Sequence, residues 1–501
     1  MTDHAPLPEP LDLLIVGAGI SGIGMAAHLT RKCPGKSYAI LERRERLGGT
    51  WDLFRYPGVR SDSDMYTLGY EFEPWRDGKS IAEGETILAY LESVAEQYDI
   101  PSHIRFGRTV LSADWDGEAG LWTVEADTEE GSREQHRARF LFFASGYYDY
   151  DSPYEAPIPG LDSFAGDVLH PQFWPREFDA TGKRIAVIGS GATAATVVPA
   201  LAKDAASVTM LQRTPTWYIS SPAHDMIANG LRRILPEKLA YALTRAKNSR
   251  LQQMFIHRSR SKPEQVGQFL KKQVSGQLGD AWREEDFTPP YNPWEQRLCL
   301  IPDGDLFAAI AEGSASIATG EIAQVEANGI ALKDGTRIEA DVIVTATGLR
   351  LASLGKAAVS IDGTPVDFAE HYYYRNCMFS NVPNLAALFG YLNAAWTLRV
   401  DLVADWLCRL FTQMDAWGAE VVTPHLAEDH DLEEADILWG FSSGYLQRGR
   451  DLLPKSATQA PWQLSMDYFA DRAEMREAPI DDGILRFERR TAPVAGKREL
   501  A

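Results

Sequence analysis

Cysteine is scarce in this sequence: only four occur among 501 residues, and no two form a C-x-x-C motif. This scarcity argues against a structural zinc site and against a dithiol redox centre, and it is typical of a reducing compartment. Long apolar runs are missing too, because none approaches the roughly 20 residues that a membrane-spanning helix needs. The N-terminal segment lacks the basic region of a signal peptide. We therefore expect a cytoplasmic protein.

Positive charge is also in short supply. The chain has 50 Lys and Arg against 70 Asp and Glu, a net charge of -20. A nucleic-acid-binding protein would carry a basic domain, so we expect no nucleic-acid partner. Apolar residues at 45% and charged residues at 24% are typical of a globular protein. A chain of this length exceeds one ordinary core, which predicts two or three domains.

Two segments share one pattern of apolar run, glycine turn and helix-like sequence. The first is "LDLLIVGAGISGIGMAAHL", with Gly17-x-Gly19-x-x-Gly22, and the second is "RIAVIGSGATAATVVPALA", with Gly189-x-Gly191-x-x-Ala194. Each predicts a strand, a tight turn and a helix, and each is followed by another β-like run. The fold class expected is α/β, with two Rossmann-like dinucleotide-binding domains.

The domain boundaries follow from these two units and their later β-like partners. We predict the first part of one domain at 1–148, a second domain at 149–375, and the C-terminal part of the first domain at 376–501. A locally basic, helix-like stretch at about 225–288 predicts a helical insertion in the second domain. That stretch is open to two interpretations: a solvated helix pair near the active site, or a face that contacts an anionic membrane surface.

The strand ends after the two turns suggest different ligands. Glu42 ends the strand after the first turn, where a carboxylate accepts hydrogen bonds from ribose hydroxyls. Arg213 and Thr214 stand at the matching place after the second turn, and an arginine there binds a 2'-phosphate. The first site is therefore expected to hold FAD and the second NADPH. The electrons that pass from NADPH to FAD need an acceptor, and the chain has no dithiol to take them. Two possibilities remain open: reduction of a quinone-type substrate, or reaction with oxygen.

The stretch "FAGDVLHPQFWP" between the two units carries a more specific signal. It fits F-x-G-x-x-x-H-x-x-x-W-P through Phe164, Gly166, His170, Trp174 and Pro175. This pattern resembles the fingerprint of flavin-dependent Baeyer–Villiger monooxygenases. The segments "YNPWEQRLCLIPDGDLF", "GYLNAAWTLRVDLV" and "IDDGILRF" resemble the ethionamide-activating branch of that family. His170 itself is expected to hold the linker by hydrogen bonding.

The resemblance implies contacts for both cofactors. FAD contacts fall on Gly17, Gly19, Ser21, Gly22, Glu42, Gly49, Thr50, Trp51, Asp52, Leu53, Asp62 and Val110. NADP contacts fall on Arg60, Ser61, Gly189, Ser190, Gly191, Ala192, Thr193, Ala194, Ala195, Arg213 and Thr214. Where many family members have a lysine that helps to bind the 2'-phosphate, this chain has Gln296.

The resemblance also implies a reaction. The family's active-site arginine falls at Arg297 and its carboxylate partner at Asp62. NADPH and O2 would serve to insert one oxygen atom next to a ketone carbonyl through a C4a-peroxyflavin, giving an ester or lactone, with sulfides as further substrates. Two alternatives remain open: a monooxygenase that oxygenates nitrogen or sulfur, and a redox-sensing or partner-binding flavoprotein without catalytic activity.

Overall fold

The computed structural model describes residues 9–489. In chain order the strands are β1 Leu11–Val16, β2 Tyr38–Leu41, β3 Ile104–Arg105, β4 Arg108–Asp116, β5 Leu121–Thr128, β6 Arg133–Phe143, β7 Asp167–Leu169, β8 Arg184–Ile188, β9 Ser207–Gln212, β10 Tyr218–Ser221, β11 Cys299–Pro302, β12 Ala315–Thr319, β13 Ile322–Glu326, β14 Gly329–Leu332, β15 Arg337–Glu339, β16 Val342–Thr345, β17 Ala358–Ile361, β18 Thr364–Pro365, β19 Tyr373–Tyr374, β20 Met378–Phe379, β21 Leu385–Ala387, β22 Val421–Pro424, β23 Glu434–Ala435, β24 Ser456–Ala457 and β25 Leu485–Glu488. The α-helices are α1 Ile20–Lys32, α2 Thr50–Leu53, α3 Met65–Leu68, α4 Gly84–Gln97, α5 Ala192–Leu201, α6 Met226–Ile234, α7 Glu237–Ser261, α8 Pro263–Leu278, α9 Asp305–Ala311, α10 Trp396–Trp417, α11 Gly444–Arg448 and α12 Tyr468–Glu477.

The larger sheet is built around β1. Its strand order is β18-β17-β4-β5-β6-β1-β2-β3, with β21 also paired to β6. β1 pairs in parallel with β2 and β6, and Leu13, Leu14 and Ile15 are buried. A continuous apolar run suits a strand covered on both faces, which explains why the first predicted strand is so apolar. The chain re-enters this sheet at β17, ahead of the boundary predicted at 376.

The smaller sheet is parallel throughout and has the order β12-β9-β8-β16-β7. Successive residues of β8 enter separate cores on the two faces of the sheet, Ile185 and Val187 on one and Ala186 and Ile188 on the other. The unit β8-α5-β9 repeats the β1-α1-β2 arrangement of the larger sheet. The α/β fold with two Rossmann-like units, expected from the glycine turns, is confirmed.

The aromatic, proline-rich stretch between the units forms the edge of the smaller sheet. β7 lies beside β16, and a short 3₁₀ turn over Pro171–Phe173 follows it. The backbone N–H of Gln172 donates to His170 Nδ1 at 3.1 Å, so His170 caps this turn as expected of a structural residue. Pro171 is tolerated because it opens the turn, where a missing N–H costs no hydrogen bond of the turn. The stretch therefore fastens the linker to the second unit.

Helices α6, α7 and α8 form the segment for which a helical insertion was predicted. The side chain of Arg245 on α7 is buried and donates to Asp401 Oδ2 on α10 at 2.8 Å and to the carbonyl oxygen of Tyr66 at 3.0 Å. His28 of α1 approaches Asp401 Oδ1 at 3.1 Å. Burial acts to lower the pKa of Arg245, but the neighbouring Tyr241 and Asp401 raise it above its usual value, so the arginine stays charged. One face of α7 is thereby anchored to the larger sheet's helices.

No helix within residues 9–489 combines the length and the apolar character that crossing a bilayer requires.

Candidate functional site

A cavity of about 1120 Å³ lies where the two Rossmann-like units face each other. Both glycine turns open into it, and so do the ends of the strands that follow them. The predicted site residues that line it are Gly17, Gly19, Ser21, Glu42, Gly49, Thr50, Trp51, Arg60, Ser61, Asp62, Val110, Gly189, Ser190, Gly191, Ala192, Thr193, Arg213, Thr214 and Arg297. A single cavity therefore collects side chains from positions far apart in the sequence.

Five predicted cofactor contacts do not line this cavity: Gly22, Asp52, Leu53, Ala194 and Ala195. The buried carboxylate of Asp52 instead accepts hydrogen bonds from Arg44 Nη2 at 2.6 Å and from Arg55 Nη2 at 2.9 Å. Ala194 and Ala195 are buried inside α5.

The first glycine turn fits a dinucleotide diphosphate. Gly17 has φ +103°, and a Cβ there would lie 2.8 Å from the carbonyl oxygen of Ala144. Gly19 is the N-cap of α1, no side chain caps the helix, and the first turn holds no acidic residue. The free N–H groups at this helix end and the helix dipole suit a phosphate. These features fit the FAD predicted for this turn.

Glu42 lies at the end of β2, close to the same turn. Its two carboxylate oxygens accept the backbone N–H groups of Ala18 at 2.7 Å and Arg44 at 2.9 Å. Burial raises the pKa of Glu42, and the two N–H donors oppose that rise. The carboxylate thereby braces the turn while it lines the cavity.

The second glycine turn repeats the arrangement. Gly189 has φ +138°, and a Cβ there would overlap the carbonyl oxygen of Ala346. Gly191 is the N-cap of α5, again without a side-chain cap, and a Cβ at Gly191 would meet no atom of the protein within 4 Å. The backbone can therefore approach a second diphosphate closely. This turn fits the NADPH predicted for it.

The side chains around the second turn differ in whether they already have an ion-pair or hydrogen-bond partner. Arg213 is exposed to the cavity and has no ion-pair partner within residues 9–489. Arg60 instead forms an ion pair with Asp305 that includes an Nη2–Oδ1 contact of 3.2 Å. Gln296 Nε2 donates to Ser442 Oγ at 3.3 Å. Arg213 is thus the free cation at the strand end where a 2'-phosphate is expected.

Arg297 and Asp62 are brought together at the junction of the two halves. Arg297 Nη2 lies 3.1 Å from Asp62 Oδ2, although 235 positions separate them in the chain. Burial disfavours the charge of Arg297, but Asp62 outweighs it and holds the pKa of the guanidinium above its usual value. The side chain of Arg297 keeps 32% of its surface exposed, within the cavity. A fixed positive charge therefore faces the space between the two turns.

Aromatic side chains that the sequence analysis did not assign surround this ion pair. Tyr147, Tyr148, Trp396 and Tyr445 line the same cavity, and the hydroxyls of Tyr147 and Tyr148 are hydrogen-bonded. The Tyr147 ring stacks on Trp396, with centroids 5.1 Å apart. Burial raises the pKa of the Tyr147 and Tyr148 hydroxyls, so they stay protonated. For Tyr147 and Tyr148 the sequence signal was the "SGYY" that follows the strand now seen as β6, and Trp396 lies in the "GYLNAAWTLRVDLV" segment that carries the family resemblance.

Thiol chemistry has little support inside the cavity. Cys299 lines the cavity, but burial raises the pKa of its thiol to about 12. The thiol is therefore protonated and a poor nucleophile at neutral pH. All four cysteines are free, and no group of His, Cys, Asp or Glu within residues 9–489 has the arrangement of a metal site.

Comparison with known proteins gives a consistent result. The family model described as pyridine nucleotide-disulphide oxidoreductase matches residues 14–254. The FAD-containing monooxygenase EthA of Mycobacterium tuberculosis is 46% identical over 97% of this chain and 100% of its own length. A protein named probable FAD-binding monooxygenase AlmA, from Acinetobacter baylyi, is 44% identical over 98% of this chain and 99% of its own.

Solved structures support the fold. A steroid monooxygenase bound to NADP superposes with a TM-score of 0.74 and 24% identity, over 96% of this chain and 100% of its own. OTEMO in complex with FAD and NADP superposes with a TM-score of 0.68 and 22% identity, over 84% of this chain and 87% of its own.

Proposed function

Because this chain belongs to the FAD-containing monooxygenases, with FAD and NADPH as cofactors, we propose that it inserts one oxygen atom of O2 next to a ketone carbonyl. The reaction balances as ketone, O2, NADPH and a proton giving ester or lactone, water and NADP⁺. When bound, FAD supplies the activated oxygen and NADPH supplies the two electrons. The observation that carries this proposal is the Arg297–Asp62 pair at the junction of the two glycine turns.

Arg297 is proposed to stabilise charge during the reaction. Attack on a ketone turns the carbonyl carbon tetrahedral and leaves negative charge on its oxygen. A fixed cation or hydrogen-bond donor at that oxygen stabilises the transition state more than the substrate, which is what accelerates a reaction. The exposed part of the Arg297 guanidinium can donate to such an oxygen, since its other contact is with Asp62.

Asp62 is proposed to hold the guanidinium in position. A carboxylate 3.1 Å from Arg297 Nη2 limits the rotamers of a long side chain and keeps it charged in the cavity. The stacked Tyr147 and Trp396 rings give the same part of the cavity an apolar wall. Such a wall excludes water and accommodates a hydrophobic ketone.

Product analysis tests the proposal directly. The holoenzyme, with NADPH and air, is given a methyl ketone of medium chain length, or a thioether of matched size, in separate reactions. An ester from the ketone with NADPH consumed in proportion supports the proposal. Sulfoxide from the thioether without any ester from the ketone would favour the alternative, a monooxygenase that oxygenates sulfur or nitrogen. NADPH consumption with neither product would favour the flavoprotein without monooxygenase activity.

The Arg213→Ala variant is expected to lose most of its preference for NADPH over NADH. Arg213 is the free cation at the end of β9, and a charge-assisted hydrogen bond to a phosphate contributes about 1.5–3 kcal/mol, or roughly 10- to 150-fold in affinity. The measurement is kcat/KM for flavin reduction with each cofactor. The kcat/KM with NADPH should fall, while the kcat/KM with NADH should change little.

Arg337→Ala is the matched control, because Arg337 is an exposed arginine of β15 that pairs with Glu326 outside the cavity. It should leave the ratio between the two cofactors unchanged. If Arg213→Ala also leaves the ratio unchanged, Arg213 does not recognise the 2'-phosphate.

A further inference from the structure

The cations that line the cavity fall into two groups. Six have a carboxylate partner: Arg43 with Asp151, Arg44 with Asp52, Arg60 with Asp305, Arg108 with Glu134, Arg297 with Asp62 and Lys356 with Asp149. Within residues 9–489, Arg213 and Arg448 line the cavity without such a partner. Arg213 already has an expected ligand. Arg448 has none.

Arg448 is held in place by weak contacts at one end of the cavity. It ends α11, its guanidinium carbon lies 3.5 Å from the centroid of the Tyr154 ring, and its Nη2 donates to the carbonyl oxygen of Leu349 at 3.5 Å. A cation over an aromatic face is oriented without being neutralised. Its positive charge therefore remains available to an anion.

The sheet order gives the position of Arg448 relative to the NADPH turn. Leu349 lies just after β16, and Arg213 just after β9, while β8 with the Gly189 turn runs between these two strands. Arg213 and Arg448 therefore lie on opposite sides of the turn. A dinucleotide crosses such a turn with its diphosphate at the helix N-terminus and its two nucleosides on either side. The adenosine half belongs beside Arg213, which leaves the nicotinamide half on the side of Arg448.

We propose that Arg448 binds the nicotinamide-side phosphate of NADPH and so acts as a second anion-binding position in this cavity. The ligand class is a dinucleotide diphosphate, which is the anion that a cofactor bound at Gly189–Gly191 would bring to this side. The inference rests on NADPH binding at that turn and is independent of which substrate is oxygenated.

The test compares ligands that contain or lack the nicotinamide half. Binding of NADP⁺, NAD⁺ and 2',5'-ADP to the FAD-loaded enzyme is measured by calorimetry. Arg448→Ala should lower the affinity for NADP⁺ and for NAD⁺ by a similar factor, about tenfold or more. It should leave the affinity for 2',5'-ADP unchanged. Arg213→Ala should lower the affinity for NADP⁺ and for 2',5'-ADP but not the affinity for NAD⁺. Arg448→Lys should retain part of the affinity because it keeps the charge.

Arg450→Ala is the matched control, since Arg450 lies two positions further on, pairs with Asp436 and does not line the cavity. If Arg448→Ala binds NADP⁺ as tightly as the wild type does, the proposal is overturned. Arg448 would then be available to bind an anionic substrate instead of the cofactor. The proposal is also overturned if Arg448→Ala lowers the affinity for 2',5'-ADP as much as the affinity for NADP⁺, because the arginine would then bind the adenosine half. Failure of the wild-type enzyme to bind NADP⁺ would instead contradict NADPH binding itself.

A separate observation concerns the outer face of α6 and α7. Large hydrophobic side chains are exposed there: Met226, Ile227, Ile234, Leu239, Leu243, Leu251 and Met254, with exposed fractions of 46–77%. The opposite face of α7 is buried and anchored through Arg245, so the exposed leucines face outward. Isolated exposed apolar residues are ordinary, but a group on adjacent helices indicates an interaction surface.

The charge around this face points to the partner. Residues 226–278 contain eleven Lys and Arg but only two Asp and Glu, in a chain whose net charge is -20. Exposed Arg233, Lys238, Arg250 and Arg258 lie among the apolar side chains. We infer that the α6–α7 face binds an anionic lipid surface, where apolar side chains insert and cations meet headgroups.

Vesicle flotation of the holoenzyme tests this inference. The wild-type enzyme should float with vesicles of phosphatidylcholine and phosphatidylglycerol, less with phosphatidylcholine alone, and less at high salt. The double variant Ile234→Glu with Leu243→Glu should lose flotation, whereas Leu452→Glu, an exposed leucine elsewhere, should not. No flotation by the wild type would overturn the inference. A second result would also overturn it: neither protein floats, and light scattering shows a dimeric wild type but a monomeric double variant. A second copy of the chain would then cover this face.

Discussion

Arg297→Ala is expected to abolish formation of the oxygenated product while reduction by NADPH continues. In the wild-type cavity the guanidinium lies 3.1 Å from Asp62 and faces the space between the two cofactor turns. Removing it leaves the developing negative charge of the ketone oxygen without its cation. Loss of one such donor typically costs a factor of about 10²–10³ in kcat. The ketone oxygen carries no charge during hydride transfer, so reduction should change far less.

Two measurements separate these steps. The rate of flavin reduction by NADPH is followed without oxygen, and product is then quantified in air. Arg297→Lys should recover part of the product, because it keeps the charge but loses the planar guanidinium geometry. Asp62→Asn should lower product formation less than Arg297→Ala does, because it disturbs the position of the cation without removing it. Wild-type product yield by Arg297→Ala would remove Arg297 from the proposed mechanism.

Gly189→Ala is expected to prevent productive NADPH binding while FAD stays bound. Gly189 has φ +138°, where an L side chain is strained, and its Cβ would overlap the carbonyl oxygen of Ala346. The turn must shift to relieve this overlap, and a displacement of about 1 Å at a binding turn can cost 10²-fold. The FAD turn at Gly17 lies in the other unit and is not affected. Flavin absorbance should therefore remain while NADPH no longer reduces it.

Two further glycine variants keep this prediction interpretable. Gly191→Ala places a methyl group in open space at the N-terminus of α5, so the fold should tolerate it while the diphosphate meets the methyl. NADPH affinity should fall, while thermal stability should fall only by the small amount that Ala costs at an N-cap. Gly230→Ala, on an exposed part of α6 where a Cβ also meets no atom, should leave NADPH affinity unchanged and should slightly raise thermal stability, because Ala is the better helix former. Normal reduction by Gly189→Ala would contradict the assignment of this turn to NADPH.

Local sequence patterns predicted the parts of this protein whose structure depends on neighbouring residues. The two strand–turn–helix units lie where the glycine spacings indicated, because a tight turn between a buried strand and a helix needs glycine at set positions. By contrast, β17 joins the larger sheet by pairing with β4, some 240 positions earlier, and no local pattern marks such a pairing.

The sequence alone therefore determined the fold class, the two glycine turns and the presence of Glu42 and Arg213 at the strand ends after them, since each depends on a short stretch of chain. The tertiary structure decided which side chains share the cavity. It placed Arg297 beside Asp62 and surrounded them with Tyr147, Trp396 and Tyr445, which come from three other segments. It also left Arg448 unpaired and the outer face of α6 and α7 exposed. These relations depend on contacts between distant segments, and no local spacing encodes them.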